Sequence, residues 1–148
     1  MRRANGFTLV ELMLVVAIIG ILAAISVPGL LRAKTLANER TTISSLRSIA
    51  TAQHSYWASN KRFALTFDEL VNPPQGPSFL EGDWAIAKDG YLFTMTATAD
   101  SFAVSAVPVS PGRSGTQAYY LDQSNVVRYV DGAGPADATS LPLDQPAP

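Results

Sequence analysis

From Phe7 to Leu31 runs an apolar stretch whose only charged side chain is Glu11. This run constrains the chain more than any other feature. A helix rises about 1.5 Å per residue and needs roughly 20 residues to cross the hydrocarbon core of a bilayer, and the run exceeds that length. It is therefore expected to be a membrane-spanning helix. A carboxylate at mid-bilayer costs roughly 2.5–3.5 kcal/mol on insertion scales, so Glu11 marks a functional position that calls for a partner. The bland alternative is that its side chain snorkels to the headgroups near the helix start. A cleaved secretory signal has a shorter apolar region followed by a small-residue cleavage site. Ser26-Val27-Pro28-Gly29 is a poor version of such a site, so the run is expected to be kept. Arg2 and Arg3 favour a cytoplasmic start, a bias that Arg32 and Lys34 on the far side weaken.

The rest of the 148 residues has room for one domain. With a net charge of −1, nothing in the chain is basic enough to suggest a general nucleic-acid binder. The absence of cysteine excludes disulfides, thiolate metal sites and a cysteine nucleophile. No GxSxG, phosphate loop, HExxH or dinucleotide fingerprint occurs. The single histidine, His54, is read as a solvated or structural residue on a helix, and no enzyme is expected.

The segment "ANGFTLVELMLVVAIIGILAAI" carries a resemblance. A short basic leader ends in glycine; phenylalanine, threonine, two aliphatics, glutamate and a long aliphatic stretch follow. This resembles the class III signal of type IV pilins and of the pseudopilins of type II secretion. The resemblance implies that a membrane-embedded aspartyl peptidase cuts after Gly6 and methylates the new amino terminus at Phe7, while the helix is retained. Phe7, Thr8 and Glu11 then become the assembly residues, and the Glu11 carboxylate of one subunit neutralises the Phe7 amine of a neighbour. Such a pair need not add net stability, but either charge left unpaired is strongly unfavourable, which selects one stagger between subunits. Pro28 removes a backbone donor and Gly29 adds freedom, so a kink or loosening is expected there. Gly20 and Ala23-Ala24 allow close helix packing.

Beyond Leu31, Leu36, Ile43, Leu46, Ile49, Ala50, Tyr56 and Trp57 recur at helical intervals, which extends the helix to about Asn60, some 80 Å in all. "TFDE" at Thr66 to Glu69 fits a capping box opening a short helix. "GYLFTMTAT", "SFAVSAVPV", "QAYYLD" and "VVRYV" read as antiparallel strands joined by turns. The expected fold class is α+β: a pilin fold in which a long amino-terminal helix, membrane-spanning in its first half, packs on a small antiparallel sheet of about four strands. The expected divisions are a leader at 1–6, an assembly helix at 7–31, an amphipathic helix and head at 32–131, and a loose tail at 132–148.

The head also resembles, more weakly, a bacterial pilin-like group, through Tyr56, Phe63, Leu70, Asp89-Gly90-Tyr91, Phe93-Thr94, Ala106, Pro108, Pro111-Gly112, Gly115, Tyr120, Asp122 and Arg128. Asn125 stands where that pattern has glycine, and it can still take a left-handed turn. Some pseudopilins bind calcium in the head, which makes Glu81, Asp83 and Asp89 candidate ligands, although they lack EF-hand spacing. No other cofactor is expected.

Three functions compete. The first is a structural subunit of a type IV pilus, a homopolymer held through its amino-terminal helices. The second is a pseudopilin forming a short periplasmic piston in type II secretion. The third is a membrane-anchored binding protein that does not polymerise. The expected partners are other copies, the prepilin peptidase and methyltransferase, an inner-membrane assembly platform and the membrane itself. The expected location is the inner membrane, single-pass with a cytoplasmic start, and afterwards an extracellular filament or a periplasmic pseudopilus.

Overall fold

The computed structural model describes residues 7–132 and 134–144. Two compact units are present, residues 1–33 and residues 34–148. Helix α1, Leu9–Asn60, runs through both, and α2 is Phe67–Val71. The strands are β1 (Tyr91–Ala97), β2 (Phe102–Pro108), β3 (Gln117–Asp122), β4 (Arg128–Asp131) and β5 (Leu141–Pro142).

In the first unit, every described residue from Phe7 to Ala33 is exposed. The segment is long and apolar enough to cross a membrane, with none of its most hydrophobic window covered by protein. Pro28 lies inside α1, and helical backbone continues through it and Gly29, so the loosening expected there is not a break in the single chain.

In the second unit, α1 lies against a five-stranded antiparallel meander in the order β1-β2-β3-β4-β5. Strand alternation explains the inward face. Tyr91 and Phe93 of β1, and Phe102, Val104, Ala106 and Pro108 of β2, point to the core at every second position. All of these but Pro108 meet Leu46, Ile49, Ala50 and Tyr56 of α1 in one hydrophobic cluster.

Two expectations are corrected. The buried face of α1 keeps Leu46, Ile49, Ala50 and Tyr56 of the expected stripe but departs from it at both ends and in its polar content: Leu36 and Trp57 are 47% and 45% exposed, whereas Glu39, Thr42, Ser45 and Gln53 are buried. The reason is that two of these polar residues replace missing backbone partners. Gln53 uses both ends of its amide on one residue, accepting from the Ala64 N–H at 2.9 Å and donating to the Ala64 carbonyl at 3.0 Å. Burial of a polar group is tolerated when its hydrogen bonds are made.

The second correction concerns the carboxyl-terminal segment. It supplies β5, which pairs Leu141 with Tyr129 and Pro142 with Arg128, giving five strands where about four were expected. Ala136 is buried, the Leu143 N–H donates to the Val127 carbonyl at 2.8 Å, and Arg128 donates to the Ser140 carbonyl at 3.1 Å. A segment too polar to form a core of its own is held by β4's open edge.

Helix α2 opens as its capping box implies, with the Thr66 hydroxyl accepting from the Glu69 N–H at 3.3 Å. The Glu69 carboxylate instead binds the Arg62 guanidinium at 2.8 Å, the Leu65 N–H and the Tyr56 hydroxyl. Burial pushes the Glu69 carboxyl up, but those donors and the Arg62 charge outweigh it and hold the group below its usual range.

Candidate functional site

The assembly residues sit at the start of α1. The Thr8 hydroxyl accepts from the Glu11 N–H at 3.2 Å, and the Thr8 carbonyl accepts from the Leu12 N–H at 3.2 Å. Thr8 therefore caps the helix and Glu11 is its third residue, the arrangement that places a carboxylate favourably against the positive end of the helix dipole. The T-x-x-E spacing at Thr8 to Glu11 was legible in the sequence and is a capping signal that the assembly reading alone passes over. Phe7 is 72% exposed and Glu11 is exposed, and neither makes an ion pair among the described residues. Gly6 lies outside the described residues.

The head residues that carried the weaker resemblance have mechanical roles. Asp89 and Gly90 both take left-handed backbone, with φ of 51° and 80°, and close a two-residue turn in which Lys88 and Tyr91 exchange backbone hydrogen bonds of 2.8 and 2.9 Å. Asp-Gly is the pair this turn favours. The turn buries the Tyr91 ring completely and lets its hydroxyl donate to the Gln117 carbonyl at 2.8 Å. Gly115 packs on that ring so closely that an added Cβ would overlap the phenol. Asn125 takes the left-handed conformation expected of it, with φ of 61°, and its N–H donates to the Asp122 carbonyl.

The acids read as calcium candidates do not converge. Glu81, Asp83 and Asp89 each line a different surface depression, and the Asp83 carboxylate is occupied by the Ala85 N–H at 2.9 Å. Among the described residues no group of three His, Cys, Asp or Glu side chains is placed to hold a metal ion. His54 is exposed and turns ring edges toward Phe63 and Phe102 at 5.9 Å each.

One acid escaped sequence reasoning. Glu39, on α1, is 9% exposed, and its Oε1 accepts from both the N–H and the hydroxyl of Thr116 at 2.7 Å. It fastens the helix to the entry of β3. Burial first, and then the Glu39 charge, pushes the phenols of Tyr91 and Tyr119 well above their ordinary value. The available signal was position: Glu39 falls on the helical face shared by Ile43 and Leu46, where a charge is out of place.

Fold and site together define an α+β subunit whose amino-terminal helix has no cover of its own. The family model described as the prokaryotic N-terminal methylation motif matches residues 1–27. The chain is 32% identical over 103 residues to the type IV narrow pilus major component PilA5 of Thermus thermophilus, covering 70% of this chain and 88% of that one. It is 31% identical over 114 residues to the type II secretion system core protein G of Dickeya chrysanthemi, covering 77% and 73%. With the type IV major pilin protein PilA of Myxococcus xanthus it shares 38% identity over 73 residues, covering 49% of this chain and 33% of that one. The match thus spans about a third of the Myxococcus pilin's length. The chain belongs to the family of type IV pilins and type II secretion pseudopilins.

Proposed function

We propose that the chain is a structural subunit of a type IV pilus, cut after Gly6, methylated at Phe7 and polymerised through α1. The observation that carries this reading is an apolar helical surface, exposed from Phe7 to Leu31, that contains one acid. Water is an unfavourable medium for that surface, so a bilayer or the helices of neighbouring copies must cover it. Before assembly the helix spans the inner membrane with its start in the cytoplasm. In the filament, the Glu11 carboxylate meets the Phe7 amine of the next subunit in water-poor surroundings and fixes the stagger. Thr8 caps the helix so that Glu11 stays at its amino-terminal turn. The prepilin peptidase and an inner-membrane assembly platform are the partners this route requires.

A second reading, a pseudopilin of type II secretion, draws support from the likeness to core protein G over 77% of this chain. Mass spectrometry of filaments sheared from cells separates the two. A mature chain beginning at methylated Phe7 and dominating the sheared material is the expected result. A processed chain that stays with the envelope refutes the pilus reading in favour of the pseudopilin, and an uncut amino terminus refutes both.

A further inference from the structure

Two cations, Arg32 and Lys34, follow the apolar run on the side proposed to be exported, against the usual charge bias. Lys34 comes three positions after Leu31, so a run that fills the hydrocarbon layer delivers it to the headgroups. The loop between β2 and β3 is brought to the same level of α1. The Thr35 hydroxyl donates to the Arg113 carbonyl at 3.0 Å, and the Asn38 amide donates to the Ser114 carbonyl at 2.9 Å. This approach depends on Gly90, where a Cβ would stand 2.7 Å from the Ser114 Cβ and 3.1 Å from the Asn38 amide nitrogen.

The result is a cleft of about 450 Å³ that Lys34 and Arg113 line together with Asp89, Ser110 and Ser114. Neither cation makes an ion pair among the described residues. Two unpaired cations beside hydroxyls, one of them three positions past the apolar run in the sequence, match the phosphate of an anionic lipid headgroup.

We propose that this cleft seats the head on the anionic headgroups of the leaflet from which α1 emerges, before the subunit enters a polymer. The inference rests on the membrane-spanning reading above. Asp89 opposes it and leaves the cleft one net positive charge. A basic residue near an anionic surface raises the docked population about fivefold, so docking should be about fivefold stronger on anionic than on neutral lipid. Asp89→Asn should raise that ratio to about thirtyfold. Asparagine also tolerates the left-handed backbone at this position.

The test uses the full chain in vesicles of phosphatidylcholine, with or without phosphatidylglycerol. The lack of native cysteine lets Val109→Cys, beside the cleft, carry a single fluorophore. Its quenching by a headgroup-spin-labelled lipid reads docking, and resistance to carbonate extraction reads insertion. Greater quenching on anionic vesicles, reduced by Lys34→Gln with Arg113→Gln and increased by Asp89→Asn, is the expected result. An inserted chain quenched equally on both vesicles overturns the proposal alone. So does an anionic preference that ignores all three substitutions. A chain extracted by carbonate overturns the membrane reading and this proposal with it.

Discussion

Replacing Glu39 by alanine removes the shared acceptor of two hydrogen bonds, from the N–H and the hydroxyl of Thr116, each 2.7 Å long. Hydrogen bonds to a charged group contribute about 1.5–3 kcal/mol each, and a donor left unsatisfied in a part-buried site loses the same order. Desolvation of the carboxylate offsets part of this, because alanine relieves the chain of a largely buried charge. The balance is a loss of about 2–4 kcal/mol in the stability of the head. For a domain of this size that lowers Tm by about 10 °C. Glu39→Gln keeps an oxygen acceptor without the charge and should lose only about 1 kcal/mol. The assay is thermal unfolding of the full chain in detergent micelles, followed by near-ultraviolet circular dichroism, which reports the packed tyrosines and tryptophans of the head. Alanine within about 0.5 kcal/mol of the native chain would refute the claim that Glu39 fastens α1 to β3. Equal losses in Ala and Gln would show that charge, and not the acceptor geometry, holds the contact.

Glu11→Val is expected to abolish filament formation while the chain remains resistant to carbonate extraction; filaments at native abundance would make the acid incidental. Gly115→Ala drives a methyl into the Tyr91 phenol and should destabilise the head by about 1–3 kcal/mol from overpacking, with a further loss if the bond to Gln117 breaks. An unchanged Tm would show that this contact yields freely. Burial raises the Tyr91 and Tyr119 phenols, so their contribution to stability is fully present below the ordinary tyrosine value near pH 10 and is lost as pH climbs toward their folded values. Ultraviolet titration of the native chain should show these two ionising only as the head unfolds, and reversible ionisation of all five tyrosines near pH 10 would contradict it.

Much of this protein is local and therefore readable in the sequence. A run from Phe7 to Leu31 with a single charge dictates a helix that water cannot cover, and Gly6-Phe7 with Glu11 carries the methylation-motif pattern that the family model matches. The Asp89-Gly90 turn, the capping Thr66 and the alternation in β1 and β2 are also set by near neighbours. What needed the tertiary structure is every pairing between residues distant in the chain. Glu39 is 77 positions from Thr116, Gly115 is recognisable as a ring contact only once Tyr91 lies beside it, and Leu141 finds an edge at Tyr129. Helical spacing put Leu36 and Trp57 on the inner face and gave no place there to Glu39 and Gln53, because hydropathy scores a side chain by its transfer to oil. The fold decided otherwise, since a buried polar group is stable wherever a distant backbone supplies its partner, and only the packed chain creates that partner.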